Sequence, residues 1–443
     1  MLTFVHLSDL HIGQDGAEEV DRDEDPRNEL IEDCRRVIAD LQVDVTGVLI
    51  SGDIANTGDP DEYQRARIWL ASLCQALGIP EENVWTVPGN HDFTRGNRTA
   101  LWHNACDGLR QCEEGEIDAH LRSHLNSDDR HVLLSPFRDY HEFADGFGCV
   151  PEGPVQVWDE KFELSEDMQL RVFGLNTATL ADGEETDEGD GLVLGENAVQ
   201  LRRNGETFIL AMWHHPLGWL RDESTARRYL NSRACIHLFG HEHDHCLSCE
   251  GGRLVVSAGA LHPRRGDRPW EPRYNLIQLS PAGPTVADGL NATVVPRIWD
   301  EGQTTFTGED GTPTVRGRDF LVGTGPTLKA EGASEGVHDG TPAVNAMSES
   351  YKETADDQAG GKVANRRRRL WLKYATLPFV RRIVIAGELG LLDESDRDVA
   401  GFEQTRLVLD RAAREDRLRE LWDAVAAELG DEEIENPYAS VTI

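Results

Sequence analysis

Five short apolar runs, each ending in a polar cluster, constrain this chain more than any other feature. They are "TFVHLSDLH" (3–11), "DVTGVLISGD" (44–53), "NVWTVPGNHD" (83–92), "TFILAMWHHP" (207–216) and "ACIHLFGHEH" (234–243). A near-continuous apolar, β-branched run of this length reads as a strand buried on both faces. Helical spacing separates the early runs, in "NELIEDCRRVIADL" (28–41) and "EYQRARIWLASLCQAL" (62–77). Strand, helix, strand, helix predicts an α/β sheet covered by helices. The later runs "QLRVFGLNT" (169–177), "RLVVSAGAL" (253–261), "YNLIQLS" (274–280) and "TVVPRIW" (293–299) follow one another with few helices, so more antiparallel sheet is expected there.

With 443 residues, 39% of them hydrophobic, the chain has material for one large cored domain and a smaller one. The large domain is expected over residues 1–322. Inside it, 93–160 is a long polar, partly helical excursion after the third strand, read as a cap or rim element. From 323 to 365 the composition turns to Gly, Ser, Thr, Glu and Asp, as in "GTGPTLKAEGASEGVHDGTPAVN", which predicts a flexible linker. Helical spacing returns over 366–443, where Leu407, Leu418, Leu421, Trp422, Val425 and Leu429 can share apolar faces.

The formal net charge is −36, so nucleic acid and acidic membranes are repelled unless a local basic patch intervenes. No run of about 18 apolar residues is present to span a bilayer. The opening "MLTFVHLSDLH" lacks the basic region and long apolar stretch of a signal peptide. Eight cysteines with a single C-x-x-C, Cys246 and Cys249, make neither a disulfide framework nor a paired zinc motif. Reduced thiols in the cytoplasm are the expectation.

The residues that close the strands carry the chemistry. Asp9 and His11 close the first, Asp53 the second, Asn90, His91 and Asp92 the third, His214 another and His241 with His243 a fifth. Sites in open α/β sheets form just beyond the carboxyl ends of strands, so these clusters are expected to meet. Singly each is ordinary: a histidine at a strand end is commonly structural, and Gly-Asp is a turn signal. All five in order are not.

"SDLH", "GD", "GNHD", "HHP" and "GHEH" together resemble the ordered motif set of the calcineurin-like metallophosphoesterases, over roughly residues 1 to 305. The resemblance implies a four-layer α-β-β-α sandwich with a dinuclear metal centre at one edge. By motif position it implies Asp9, His11 and His243 on one metal, Asn90, His214 and His241 on the other, and Asp53 bridging. Oxygen and imidazole ligands suit Mn²⁺, Fe²⁺ or Zn²⁺ without choosing among them. Such a centre can lower the pKa of a water and clamp a phosphoester for in-line attack by metal-bound hydroxide.

His91 matches the family's catalytic, non-ligand histidine, a proton donor to the leaving oxygen, with Asp92 and Asn56 as further catalytic candidates. In the protein-phosphatase branch an aspartate three residues after the bridging one pairs with this histidine. Here Asn56 stands in that place, and "GDIANTGDPDEY" is more like the class III cyclic-nucleotide phosphodiesterases. In "WHHP" the family pattern makes His214 the ligand and His215 its neighbour, since strand side chains alternate faces. In "FGHEHDHC" (239–246), His241 and His243 share a face on an extended segment and Glu242 points away. His245 has the same parity and is excluded by the filled ligand count, leaving it behind the ligands or facing substrate. In "HPRRGDRPWEPR" (262–273), Arg264 and Arg265 can bind a substrate phosphate, or belong to a solvated loop.

The tail is loosely similar to the small helical effector-associated modules of bacterial conflict systems, which implies recruitment of a protein partner. Docking on its own catalytic core or self-association is an equal reading. The expected function is a phosphodiesterase acting on a nucleotide-type phosphoester. Two alternatives stay open: a metal-dependent DNA nuclease, because "HLSDLHIG" also resembles the opening motif of double-strand-break repair nucleases, and a signalling scaffold carrying a regulatory phosphoesterase domain.

Overall fold

The structure is a computed structural model. It describes residues 1–14, 24–125, 130–150, 156–182, 191–201, 207–263, 270–323, 370, 373, 374, 377, 379–392, 401–415 and 417–429. Arg264 and Arg265, and all but the first residue of the expected 323–365 linker, lie outside these. The chain divides into two compact units, Met1–Ala330 and Glu331–Ile443.

Two mixed sheets form the first unit. One is centred on β1 (Leu2–Leu7), flanked in parallel by β2 (Gly47–Ile50) and then β3 (Val84–Thr86). On its other side β1 pairs antiparallel with β10 (Arg273–Pro281), followed by β11 (Leu290–Asp300), which carries β12 (Thr305–Thr307) and β13 (Arg318–Val322). The other sheet has the order β4 (Val157–Ser165), β5 (Met168–Leu175), β6 (Thr207–Met212), β7 (Ile236–Phe239), β9 (Arg253–Ala258) and β8 (His245–Glu250). Every residue of β1 is buried, as an apolar strand between two layers must be. Phe162 of β4 meets Phe4 of β1 and Trp85 of β3 edge-on at 5.2 and 5.1 Å, where the two sheets face each other.

Helices cover both outer faces. On the first sheet, α1 (Glu24–Leu41) and α2 (Pro60–Leu77) pack together. Asp33 of α1, fully buried, accepts both Nε and Nη2 of Arg297 at 2.7 Å and the Tyr274 hydroxyl at 2.7 Å, tying the helix to β10 and β11. On the second sheet, α8 (Glu223–Arg233) joins three helices from the 93–160 excursion, α3 (Ala100–Gln111), α4 (Ile117–Leu125) and α5 (Arg130–Leu134), while a fourth, α6 (Arg138–Asp145), packs against α2 with Phe143 on Tyr63 at 5.1 Å. Trp102, Leu109, Phe137, Phe173, Ile209 and Leu230 belong to one buried cluster, so the excursion packs as part of the helical layer.

The later strands are less antiparallel than expected. β5, β6, β7 and β9 pair in parallel, because α7 (Glu196–Val199) and α8 occupy the β5–β6 and β6–β7 crossovers and the edge strand β8 the β7–β9 one; β4, β8 and the β10–β13 group run antiparallel to their neighbours. In the second unit, α9 (Phe379–Glu388), α10 (Gly401–Arg414) and α11 (Leu418–Leu429) surround Tyr374, Leu391, Val408, Leu421, Trp422 and Val425. Leu418 and Leu429 pack at the edge of that cluster, while Leu407 is only half-buried. No helix among the described residues is long and apolar enough to cross a membrane.

Candidate metal centre

The five strand ends meet at one edge of the two sheets. β1, β2 and β3 deliver Asp9, His11, Asp53 and the 90–92 segment; β6 and β7 deliver His214, His241 and His243 from across the interface. Backbone bonds hold them there. Within the second sheet the Gly240 amide donates to the His214 carbonyl at 3.1 Å, and from the second sheet to the first the His262 amide donates to the Asp9 carbonyl at 3.0 Å. The His241 amide donates to Asp9 Oδ2 at 3.2 Å.

The ligand-type atoms crowd together with their lone pairs turned inward. His11 Nε2 lies 3.3 Å from His243 Nε2, and Asp9 Oδ1 lies 3.4 Å from His243 Nε2 and 3.7 Å from His11 Nε2. Asp53 Oδ2 is 3.2 Å from His214 Nε2 and 3.9 Å from His11 Nε2, so one oxygen faces both groups. Asn90 Oδ1 and His241 Nδ1 are 3.1 Å apart. His214 donates Nδ1–H to the Ser51 carbonyl at 2.8 Å, which leaves the Nε2 lone pair facing the centre. Asp9 Oδ1 and His214 Nε2 are buried and have only other ligand-type atoms of the centre, His243 Nε2 and Asp53 Oδ2, as side-chain neighbours at 3.4 and 3.2 Å. A buried polar atom in that position is costly without a partner. Carboxylate oxygens and imidazole nitrogens with no thiolate fit a divalent ion of the Mn²⁺, Fe²⁺ or Zn²⁺ type.

Strain and close packing mark the same place. Asp9, His11, Asp53, His241 and His243 all have φ between 42° and 77°, in the left-handed region that non-glycine residues avoid. His241 and His243 therefore sit in a turn, not on the extended segment that the sequence suggested, and both still face inward while Glu242 is exposed. Gly89 and Gly240 leave the room this requires. A Cβ at 89 would lie 2.1 Å from Asp53 Oδ1, and one at 240 would lie 1.9 Å from Ser8 Oγ.

Electrostatics follow from burial and pairing. Burial pushes the imidazoles of His11 and His241 down, to about 3 and about 4. Burial acts the same way on His214, but Asp53, Asp9 and the Ser51 carbonyl outweigh it and hold His214 at about 9. Burial raises Asp53, yet His214, His91 and His11 hold it well below the usual carboxylate range. Asp92 is pushed up to about 7 by burial and the Asp53 charge, against its backbone donors.

The sequence of residues 2–245 matches the calcineurin-like phosphoesterase family. The chain belongs to that family. The chain is also 25% identical over 254 residues to an uncharacterized metallophosphoesterase-like protein, YydB, of Bacillus subtilis (strain 168), covering 54% of this chain and 48% of the relative. The chain thus spans about half the length of the curated relative it matches. Residues 366–427 match the GTPase-associated adaptor domain. Among solved structures, the chain is similar to vacuolar protein sorting 29 of Cryptosporidium parvum, at 12% identity and a TM-score of 0.31, over 72% of this chain and 98% of that one. It is also similar to a phosphopantetheinyl hydrolase of Mycobacterium tuberculosis, at 16% identity and a TM-score of 0.29, over 58% and 89%. The family uses divalent metals to hydrolyse phosphoric esters, and the Asp and His groups here can bind such ions.

Not every residue singled out in the sequence faces the centre in the expected way. His91 donates its amide to Asp53 Oδ1 at 2.8 Å, and its Nδ1 lies 2.8 Å from the backbone carbonyl of Asn56, so that carbonyl, not the Asn56 side chain, orients the ring. Asp92 is fully buried and turned into the backbone, accepting the amides of Ile54, Ala55 and Gly89 and the Tyr63 hydroxyl. His245 begins β8, and its Nε2 lies 3.1 Å from Asn275 Oδ1. Cys246 and Cys249, three apart on β8, point to opposite faces and cannot share an ion. His215 does come close: its ligand atom lies within 4.8 Å of those of His214 and His241. The left-handed turn after β7 that aims His241 is not legible in the sequence. Nor is Thr177, which lies just past β5 with its hydroxyl 3.0 Å from His215 Nδ1.

Proposed function

We propose that this phosphoesterase is a phosphodiesterase for a nucleotide-type phosphoester, working with two divalent ions, and that its C-terminal unit docks a protein partner. The observation that carries the catalytic reading is the convergence of Asp9, His11, Asp53, Asn90, His214, His241 and His243 from five strand ends onto one strained, buried spot. Asp9, His11 and His243 would hold one ion and Asn90, His214 and His241 the other, with Asp53 Oδ2 within reach of both. Bound there, the ions would supply Lewis-acid polarisation of the phosphoryl oxygens and a hydroxide nucleophile at neutral pH.

The chain's own residues do the rest. Only two carboxylates, Asp9 and Asp53, are among the seven ligand residues, so the loaded site keeps positive charge for an anionic ester. His91 keeps its proton on Nδ1 for the Asn56 carbonyl, and its Nε2 delivers a second proton to the leaving oxygen. The Asn56 carbonyl orients the imidazole without the negative charge that a carboxylate would bring beside it. This supports the phosphodiesterase reading over the protein-phosphatase branch. For the tail, the match of residues 366–427 to an adaptor domain supports protein docking, with a GTPase-type protein as the first candidate.

The test is hydrolysis by Mn²⁺-loaded chain of bis(4-nitrophenyl) phosphate, 4-nitrophenyl phosphate, cyclic nucleotides and single-stranded DNA, with His91→Ala alongside. Turnover of diesters and cyclic nucleotides, lost in His91→Ala by about 10²–10⁴, is expected. No turnover with metal bound rejects the reading, and turnover of DNA alone replaces it with a nuclease. Docking is tested by pull-down of a GTPase partner with the full chain against Trp422→Asp, which disrupts the second unit's core.

A further inference from the structure

Between Asp53 and α2 the chain runs through "IANTGD" (54–59), and two buried carboxylates accept nearly all of its amides. Asp92 takes Ile54 and Ala55. Glu62 Oε2 takes Asn56 at 3.1 Å, Thr57 at 2.8 Å and Asp59 at 3.3 Å, while Glu62 Oε1 accepts the Thr57 hydroxyl at 3.0 Å. Glu62 stands in the first turn of α2, where it completes a capping box with Asp59. A capping box needs only the contact to Asp59. The other three reach past the helix into the loop, and they bury a carboxylate that is only 6% exposed.

The shortest amide contact decides what that clamp does. The Thr57 N–H and the Asn56 C=O belong to one peptide unit, which is planar and, in its trans form, points the two groups in opposite directions. Holding Thr57 N–H on Glu62 therefore turns the Asn56 carbonyl the other way, onto His91 Nδ1 at 2.8 Å. A carbonyl oxygen only accepts, so Nδ1 carries hydrogen and Nε2 is the nitrogen outside that bond; one nitrogen of the ring lies within 4.8 Å of ligand atoms of Asp53 and His11.

We propose that Glu62 is a positioning residue for His91, selecting its tautomer and ring orientation through the Asn56–Thr57 peptide plane. The catalytic half of this rests on the phosphoesterase reading above; the tautomer half does not. Glu62 touches no ligand-type residue of the centre among its described contacts, so its loss leaves metal content unchanged.

Two measurements test this on the full chain. In Zn²⁺-loaded protein labelled with ¹⁵N-histidine, the His91 signals are assigned by their loss in His91→Ala. The Nδ1–H tautomer is expected in the wild type and a mixture of tautomers in Glu62→Ala. With Mn²⁺ and bis(4-nitrophenyl) phosphate, Glu62→Ala is expected to lower kcat by roughly 10–100-fold with KM and metal content held. In a His91→Ala background the same substitution is expected to cost less than about twofold, as coupling through one residue requires. Equal losses in both backgrounds, or a single Nδ1–H tautomer surviving in Glu62→Ala, overturn the proposal. If Glu62→Ala does not fold, Glu62→Gln, which keeps the volume and one acceptor, carries the same measurements, with the same results supporting or overturning the role. A wild type that binds metal without hydrolysing the diester sinks the phosphoesterase reading, while the histidine spectrum still decides the role of Glu62.

Discussion

Asp92 offers the sharpest quantitative test of how this centre is built. Its oxygens accept three backbone amides, from Ile54 at 3.1 Å, Ala55 at 2.9 Å and Gly89 at 3.0 Å, and it is fully buried. Each buried amide left without an acceptor costs about 1–3 kcal/mol. Asp92→Ala strands all three, a loss of about 3–9 kcal/mol against a total stability of about 5–15 kcal/mol. Asp92→Asn keeps one oxygen, which can serve Ala55 and Ile54, and presents an N–H₂ to Gly89, so it loses one contact, about 1–3 kcal/mol. Tyr63→Phe removes only a hydroxyl donor at 3.1 Å, about 1 kcal/mol. Urea unfolding ranks the three variants. Hydrogen exchange at Ile54, Ala55 and Gly89 localises the effect, with each amide speeding by roughly 5–150-fold where its acceptor is lost. Asp92→Ala within about 1 kcal/mol of wild type, or Asp92→Asn the worse of the two, would refute the reasoning.

Three further outcomes follow from the structure. Gly240→Ala places a methyl 1.9 Å from Ser8 Oγ and 2.6 Å from Asp9 Oδ2, so it is expected to displace Asp9; elemental analysis should show a drop in bound metal while the circular dichroism spectrum is kept. Asp33→Asn leaves the Arg297 guanidinium buried beside a neutral group and is expected to cost about 3–5 kcal/mol in urea unfolding, whereas Asp33→Leu with Arg297→Met and Tyr274→Phe, which leaves no buried partner stranded on Asp33, stays nearer wild type. For acid stability, burial pushes His237 down to about 3, helped by the Arg253 charge. The folded protein therefore refuses a proton that the unfolded chain takes below about pH 6.5, and stability falls as pH drops from 6.5 toward 3, by on the order of 2 kcal/mol at pH 5 from this residue. His237→Gln removes that term, so the wild-type advantage over the variant should shrink with falling pH; a constant difference would contradict it.

Much of this fold was legible in the sequence because its signals are local and periodic. The apolar runs before Asp9, Asp53, Asn90, His214 and His241 are strands in the structure, since continuous apolar stretches can only be satisfied between two layers. What the sequence concealed depends on backbone turned left-handed or on partners far along the chain. Alternation along a strand points to His241 and His243 as an inward-facing pair, whereas in the structure positive φ, not an extended strand, aims them. Asn56 looks in the sequence like a side-chain partner and acts as a carbonyl. Glu62 looks like half of a capping box, and the loop that it clamps shows only in three dimensions.

Composition and order of motifs, then, determined the α/β architecture, the set of residues able to hold divalent ions and the separate helical tail. Only the tertiary structure decided that strand ends from two different sheets share one centre, which atom of each residue faces it, and which carboxylates stand behind it holding backbone. A sequence records which groups are present along one line. Hydrogen-bond geometry and burial belong to the directions in which packing turns them, and those are set by contacts between residues as distant as Asp9 and His243.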